Sequence, residues 1–162
     1  MKKSPGITLT ELLVIFVVVG ILSAIVITRF KSYYSVQLYN AARLLTSDIK
    51  YAQNTAEITQ LNHRVTFYPA LDKYVVTLGT TTALVDPVTR KPMERDFTRS
   101  KEFKNIDIQL AEFPAGGGND YVEFNPLGVP SSGGRVVLEY KGEAYEITVS
   151  TRTGYVDLNK IP

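Results

Sequence analysis

The stretch KKSPGITLTELLVIFVVVGILSAIVITRF, residues 2–30, decides how the rest of the chain is interpreted. Its apolar part runs from Ile7 to Ile27, a length of 21 residues. As an α-helix this part would be about 31 Å long, which is enough to cross the hydrocarbon core of a bilayer. The thirteen Leu, Ile, Phe and Val residues of 12–27 favour membrane insertion by roughly 4–8 kcal/mol. We therefore expect one transmembrane helix over 7–30.

This stretch does not follow the pattern of a cleaved secretory signal. Such a signal has an apolar core of only about 7–15 residues, and small residues at a cleavage site follow it. Here polar Thr28, Arg29 and Lys31 follow the apolar residues. The sequence therefore predicts that the apolar helix remains in the mature protein. Its flanking charges leave the orientation open, since Lys2 and Lys3 are balanced by the two later cations.

Glu11 is a lone carboxylate near the front of the apolar run. Burying a carboxylate deep in a bilayer costs about 2.5–3.5 kcal/mol or more. The free energy gained by inserting the apolar residues exceeds that cost, but an acidic residue at this depth indicates a functional role. The residues alone leave two interpretations open. Glu11 either lies at the headgroup level without a partner, or lies deeper and pairs with a cation.

The residues around Glu11 form a specific pattern. A short basic leader ends in Gly, and then come a hydrophobic residue, Thr-Leu, one variable residue and Glu. This pattern resembles the type III signal that type IV pilins share with the pseudopilins of type II secretion systems. The positions that carry the resemblance are Lys2, Lys3, Gly6, Ile7, Thr8, Leu9, Thr10 and Glu11.

The resemblance implies that the chain is processed before it assembles. In this family, prepilin peptidase cuts after the leader Gly on the cytoplasmic side and methylates the new amine. Cleavage here would follow Gly6, and the methylated amine would belong to Ile7. The residues expected to be recognised with the leader are Lys2, Lys3, Thr8 and Leu9.

The resemblance also implies a role for Glu11. This residue would lie one helical turn from the new amine of Ile7, on the same face of the helix. In pilins, the Glu is thought to neutralise the first amine of a neighbouring subunit. Because a charge pair in a low dielectric is strong, it would set the axial register of subunits in a filament. Two positions depart from the family: Ile7 replaces the commoner Phe, and Thr28 stands where many pilins have Pro, so we expect no proline kink there.

Helical periodicity continues beyond the apolar run. Apolar residues recur at intervals of three and four, and no Pro occurs between 6 and 68, so we expect one helix over about 7–56. We interpret 1–6 as the leader, 7–30 as the membrane span and filament core, and 31–57 as the amphipathic half of the helix. Asp48, Lys50, Gln53 and Asn54 are expected on its polar face. The expected apolar stripe consists of Tyr34, Leu38, Ala41, Ala42, Leu45, Ile49, Ala52 and Ala56.

The pattern changes to a period of two after residue 63, which predicts a β-sheet head over 63–162. Segments 79–104 and 114–120 are interpreted as loops because of their Pro and Gly residues. With one helix, the fold class is α+β: a pilin fold in which a long N-terminal α-helix packs on an antiparallel β-sheet head. The expected strands are 64–69, 73–78, 105–113, 121–125, 135–140, 144–150 and 154–159.

Two segments of the head resemble the GspH/FimT group of minor pilins and pseudopilins. The segment 48–67 resembles the end of the helix and the first strand of that group, although Gln53 stands where Arg is usual. The segment 122–158 contains a Phe-x-Pro-x-Gly turn at Phe124, Pro126 and Gly128, and a Gly before the last strand. We therefore identify the chain as a type IV pilin-like or type II secretion minor pseudopilin of this group.

Catalytic and metal-binding motifs are not evident in the sequence. The chain has no cysteine and one histidine, His63, without a carboxylate cluster near it in the sequence. Ser131, Ser132 and the glycines after them are interpreted as a turn, and the glycines at 116–118 do not open a helix as a phosphate loop would. Asp120, Glu123 and Asp157 lack the spacing of calcium ligands. We expect no enzymatic activity, no metal and no cofactor.

The basic residues of the chain suggest DNA as an alternative ligand. Some FimT-type proteins of competence pili bind DNA through basic residues near the C-terminus, where this chain has Arg152 and Lys160. Further cations occur in the loop 79–104, but acids interleave with them, which is typical of a solvated loop. The net charge of +2 and the pI of about 8.7 do not by themselves indicate nucleic-acid binding.

The sequence thus predicts a minor pilin or pseudopilin that initiates or caps a filament. The leader resemblance implies a location in the inner membrane, with the N-terminus cytoplasmic and the head periplasmic, and then in the pilus or pseudopilus. Expected partners are prepilin peptidase, other pilins or pseudopilins, an inner-membrane assembly platform, and a secreted substrate or DNA. The alternatives left open are a major pilin, a DNA-binding minor pilin of a competence pilus, and a membrane-tethered binding module that never polymerises.

Overall fold

The computed structural model describes residues 8–114 and 120–162, with the side chains of 24–32 outside that description. The chain divides into two compact units, of which the first ends at Tyr34 and the second begins at Ser35. The predicted positions Lys2, Lys3, Gly6 and Ile7 lie outside the described residues, as does most of the predicted loop 114–120.

The first element is a helix, α1, that runs from Leu9 to Thr59. Thr8 caps its start, because its Oγ1 accepts a hydrogen bond from the N–H of Glu11 at 3.3 Å. Thr8 and Glu11 also have the spacing of a capping box. The helix ends where Gln60 adopts a left-handed conformation, with φ of 56°. The predicted helix is therefore confirmed over the described residues and extends three residues beyond its expected end at Ala56.

In the unit that ends at Tyr34, the described side chains of 8–23 are all exposed. They include eleven large apolar side chains between Leu9 and Leu22. Ser23 is accommodated in the helix because its hydroxyl donates to the carbonyl of Val19 at 2.7 Å. Within the described residues, no helix combines the length and the apolar character that a membrane span needs.

The head contains nine strands among the described residues. All of the strand pairs are antiparallel. A short 3₁₀ turn, Pro69–Leu71, joins the first two strands. The strands are β1 His63–Tyr68, β2 Lys73–Leu78, β3 Thr82–Ala83, β4 Glu94–Asp96, β5 Asp107–Glu112, β6 Tyr121–Phe124, β7 Gly134–Tyr140, β8 Glu143–Val149 and β9 Val156–Ile161.

These strands form two sheets, whereas the sequence indicated one. The first sheet has the order β3-β2-β1-β6, and β4 pairs with β2 along the same edge as β3. The second has the order β5-β7-β8-β9. The expectation that 79–104 is a loop was wrong in part, since β3 and β4 lie in it. Strands of two and three residues are too short to show an alternating pattern, and they form because β2 offers them a free edge.

One stripe of α1 forms the centre of the core. Leu45 and Ile49 are fully buried, and Ala41, Ala52 and Ala56 lie on the same face with no exposed surface. The small alanines leave room for bulky side chains on the strands. This stripe was predicted, and the α+β fold class is confirmed. The large core side chains opposite the helix include Val65, Tyr74, Val76, Phe124, Leu138 and Ile147.

The helix stripe provides a test of the core. We predict that Leu45→Ala lowers the free energy of unfolding of the full chain in detergent by about 2–5 kcal/mol, because it leaves a cavity where burial is complete. Leu127→Ala is the matched control, since Leu127 is 77% exposed, and it should cost less than about 0.5 kcal/mol. Urea unfolding monitored by tyrosine fluorescence measures both. Equal effects of the two substitutions would contradict the described packing.

Candidate functional site

A network of buried polar groups lies between α1 and the segment 86–97. The guanidinium of Arg95 donates from Nε to Oδ2 of Asp48 at 3.0 Å and from Nη2 to Oδ2 of Asp86 at 2.6 Å. The hydroxyl of Tyr74 donates to Oδ2 of Asp48 at 2.8 Å. Both carboxylates are buried, and Tyr74 is fully buried. Arg95 therefore connects the helix, which carries Asp48, to a segment of the head that has little regular structure.

Asp86 is held by backbone groups as well as by Arg95. Its Oδ1 accepts the N–H groups of Val88 and Thr89 at 2.8 and 3.0 Å, which forms a local turn. The hydrogen bond from Thr89, supported by those from Arg95 and Val88, outweighs burial and lowers the pKa of Asp86 to about 2. Asp86 is therefore ionised at neutral pH.

The other members of the network are shifted by burial and by each other. Burial raises the pKa of Asp48, although the hydrogen bond from Arg95 opposes that shift. Burial and the adjacent Asp48 raise the pKa of Tyr74 well above its ordinary value. Burial disfavours the charge of Arg95, but its hydrogen bonds to Asp48 and Asp86 raise its pKa. The result is a neutral tyrosine and a cation shared by two acids.

This arrangement corrects two predictions. Asp48 was expected on the polar face of the helix, but it is 4% exposed. The spacing contains the signal, because position 48 follows Leu45 by three residues and precedes Ala52 by four. The segment around Asp86 and Arg95 was expected to be solvated because charges of both signs alternate there. Those two charges are instead paired and turned inward.

A surface cleft of about 870 Å³ lies above this network. Asn40, Arg43 and Leu44 of α1 form one wall, and residues between 86 and 103 form the other. Three acids that line it have partners: Asp86 binds Arg95, Glu94 accepts from Lys73 at 3.1 Å, and Asp96 pairs with Arg99. Within the described residues, no group of three or more His, Asp or Glu side chains could hold a metal ion. The network is therefore suited to holding the segment 86–97 on the helix.

The family-pattern residues that the structure describes lie at the start of α1. Thr8 supplies the helix cap, and Leu9 is exposed as the first helical residue. The carboxylate of Glu11 makes no hydrogen bond or ion pair with the described part of the chain. Its place in the first turn is favourable in any case, because a negative charge there complements the helix dipole.

The two C-terminal cations have different surroundings. Lys160 lies in β9 and its Nζ is 3.1 Å from Oε2 of Glu143 in β8. Arg152 is exposed in the turn between β8 and β9, and within the described residues no carboxylate pairs with it. Only one of the two expected DNA-contacting cations is thus available without breaking an ion pair.

Other residues considered in the sequence have local roles. His63 is buried at the start of β1, and its Nδ1 is 2.9 Å from the carbonyl of Leu61, which makes Nδ1 the donor. Glu123 accepts from Arg64 at 2.7 Å and is on a different sheet from Asp157. Ser131 accepts from the N–H of Glu123 at 3.1 Å. The structure therefore does not gather these residues into one site.

Gln53, which stands where the resembled group usually has Arg, holds two turns against the helix. Its Nε2 donates to the carbonyl of Gly128 at 2.9 Å and to that of Thr153 at 3.1 Å. Gly154 has φ of 65°, and a side chain there would collide with the Gln53 amide. The predicted Phe-x-Pro-x-Gly turn and the last turn of the head are thus both anchored by one residue of α1.

Comparisons with known proteins agree with this architecture. The model of the family "Type II transport protein GspH" matches residues 41–154. The minor pseudopilin EpsH of the Vibrio cholerae type 2 secretion system has a similar structure, with 13% identity over 76% of this chain and 97% of EpsH, and a TM-score of 0.56. The type IV minor pilin FimU of Pseudomonas aeruginosa PAO1 is also similar, with 13% identity over 77% of this chain and 90% of FimU, and a TM-score of 0.54. No curated protein sequence matches the chain.

A long N-terminal helix with an antiparallel head, shared with EpsH and FimU, defines the chain as a protein with the pilin fold. The match over 41–154 covers more than half of its 162 residues, so the chain belongs to the GspH family of type II transport proteins. This family and fold are those of structural minor pilins and pseudopilins of type II secretion systems or type IV pili. The identification made from the sequence is therefore confirmed at the level of the family.

The Arg95 network predicts a large effect on stability. We expect Arg95→Leu to lower the free energy of unfolding by about 3–5 kcal/mol, because it leaves buried carboxylates without their counter-charge. Arg99→Leu is the control: Arg99 pairs with Asp96, but its side chain is 88% exposed, so the loss should stay below about 1 kcal/mol. Urea unfolding at neutral pH distinguishes the two. A small loss for Arg95→Leu would mean that the network does not hold the segment 86–97.

The low pKa of Asp86 predicts a dependence of stability on pH. Because the folded pKa of about 2 lies below the ordinary value of 3.8, Asp86 stabilises the fold above about pH 4. That contribution, about 2 kcal/mol, is lost as the pH falls from about 4 to 2. Asp86→Asn should reduce the loss in this range and lower stability at pH 7. Unfolding by urea at intervals from pH 6 to pH 2 measures both, and an unchanged acid slope in the variant would contradict the assignment.

Proposed function

We propose that the chain is the precursor of a minor pilin or pseudopilin, a structural subunit that initiates or caps a type IV pilus or a type II secretion pseudopilus. The observation that carries the proposal is the exposed apolar surface of α1 from Leu9 to Leu22, within a chain that has the fold and family of such subunits. An exposed apolar surface of this length requires a lipid or protein environment. The membrane would provide this environment before assembly, and the filament core would provide it afterwards.

In this proposal, prepilin peptidase removes residues 1–6 by cutting after Gly6, and Ile7 becomes the methylated N-terminus. Lys2 and Lys3, with Thr8 and Leu9, contribute to recognition of the leader. Residues 7–30 anchor the chain in the inner membrane, with the N-terminus cytoplasmic. Residues 31–57 join that anchor to the periplasmic head, 63–162, and an inner-membrane assembly platform then extracts the subunit into the filament.

In the proposed filament, Glu11 sets the axial register of neighbouring subunits. Its carboxylate has no partner among the described residues, so it is available to the amine of Ile7 on an adjacent subunit. Where the amine and the carboxylate meet within the apolar filament core, their attraction is strong because the local dielectric constant is low. An unmatched carboxylate would instead carry a desolvation penalty, so misaligned subunits are disfavoured.

DNA binding is a second candidate, for a competence pilus, and Arg152 is the residue that favours it. This cation is exposed, and none of the described carboxylates pairs with it. The pairing of Lys160 with Glu143 argues against the candidate, because DNA would have to replace that ion pair. The filament proposal therefore takes precedence.

Processing and Glu11 can be tested together in cells with and without an active prepilin peptidase. We expect the intact mass to correspond to a chain that begins at N-methylated Ile7 only when the peptidase is present. We expect Glu11→Leu to be cleaved normally but to be recovered from sheared filament fractions at a level at least about tenfold lower, since the register pair is lost. Glu11→Asp, which retains the charge, is the matched control.

One outcome would contradict the proposal as a whole, and another would contradict only the role of Glu11. A chain that begins at Met1 in both strains would favour a membrane-tethered module that never polymerises. Normal incorporation of Glu11→Leu into filaments would leave the subunit assignment intact but would eliminate the register role of Glu11.

A further inference from the structure

A second groove runs between α1 and the last strand of the head, and it shares Arg43 with the cleft above Arg95. Its volume is about 440 Å³. The α1 wall includes Tyr39, Arg43, Thr46 and Lys50, and the other wall is formed by the four consecutive residues 155–158. Successive side chains of a strand point to opposite faces of a sheet. Val156, Asp157 and Leu158 are consecutive in β9 and all line the groove, which indicates that the groove follows the backbone edge of the strand.

The strand along this groove, β9, is at the end of its sheet, and no described strand pairs with its outer edge. The bond from the N–H of Ser150 to the carbonyl of Tyr155 fixes which backbone groups face β8. In an antiparallel pair the bonded residues alternate, so Asp157 and Asn159 also bond towards β8. The N–H and C=O groups of Leu158 and Lys160 consequently point away from the sheet and are available to another strand.

The helix side of the groove is basic. Arg43 and Lys50 are exposed, and in the described part of the chain neither meets a carboxylate. Each is instead near a tyrosine ring: the Arg43 guanidinium lies 5.7 Å from the Tyr39 ring centre, and the Lys50 amine lies 6.0 Å from that of Tyr155. Most other arginines of the head are in ion pairs. A negatively charged ligand would therefore meet cations here that are not already neutralised.

The opposite wall carries one acid, Asp157, which accepts from the Asn159 amide at 3.0 Å. Two contacts mark the ends of the groove: the Tyr39 and Tyr145 rings are 5.7 Å apart at one end, and Lys50 meets Tyr155 at the other. From Tyr39 to Lys50 the helix advances by about 16 Å. That distance corresponds to about five residues of extended chain.

From these features we infer that the groove binds an extended, acidic segment of another protein chain, which adds as a strand to the free edge of β9. Backbone bonds to Leu158 and Lys160 supply the affinity common to strand addition. Carboxylates at alternate positions face Arg43 and Lys50 and supply the specificity. The inference does not depend on cleavage of the leader or on Glu11, so its failure would leave the proposed function intact.

The test uses the full chain in detergent and a fluorescein-labelled heptapeptide of alternating Glu and Val. Fluorescence anisotropy should show saturable binding that is at least about tenfold tighter than that of the matched Lys and Val peptide. Arg43→Glu combined with Lys50→Glu should weaken binding of the acidic peptide by about tenfold or more. Arg90→Glu combined with Lys101→Glu reverses two other exposed cations and should leave that binding unchanged.

A second pair of variants tests the backbone edge. Lys160→Pro removes an outward N–H at a position where an edge strand tolerates proline, and should weaken peptide binding by roughly three- to tenfold relative to Lys160→Ala. Both variants lose the ion pair to Glu143, so only the backbone donor differs. Circular dichroism verifies that each variant is folded.

Three results would overturn the inference. The first is no binding of the acidic peptide. The second is equal loss of binding in the charge-reversal variant and its control. The third is binding of a twelve-residue oligothymidylate, but not of the peptide, that is abolished by the Arg43 and Lys50 reversal, which would make the groove a nucleic-acid surface.

Discussion

The head depends on the burial of a single stripe of α1. Between Leu38 and Ala56, every residue on that stripe with an apolar side chain loses its contact with water, and residues of both sheets pack in the same core. The same helix carries exposed apolar side chains at 9–22, so one continuous element has two apolar surfaces. Only the stripe from Leu38 to Ala56 is buried within the chain.

The polar contacts of the head form only when the helix is packed in the core, and they fix the positions of loops against it. Arg95 is stable in a half-buried position because Asp48, from the helix, and Asp86, from a tight turn, both accept its hydrogen bonds. Gln53 makes similar contacts between uncharged groups, because its amide donates hydrogen bonds to the backbone carbonyls of two turns and holds both against the helix. Buried polar groups are costly unless they are fully paired. These contacts therefore specify one position of each loop relative to the helix.

The proposed function places different demands on the two surfaces of the chain. Packing in a filament core requires a continuous apolar helix with one acidic residue, and it does not depend on the details of the head. The head must present surfaces that distinguish one partner from another. The free edge of β9 and the basic face of α1 provide directional bonds and charge in the same groove, which is the combination that gives a protein surface specificity.

The sequence by itself determined the elements whose signals are local. Helical spacing and the absence of proline predicted α1, alternation predicted all of the longer strands, and the pattern from Gly6 to Glu11 with the turn at Phe124 to Gly128 indicated the family. The short strands β3 and β4 were missed, because two or three residues are too few to alternate. Asp48 was misplaced, since it is buried, and Arg95 was assigned to a solvated loop, although it is half-buried and paired with two buried carboxylates. Only the tertiary structure decided these features and the groove beside β9, because burial of a charge and a free strand edge depend on partners that are distant in sequence.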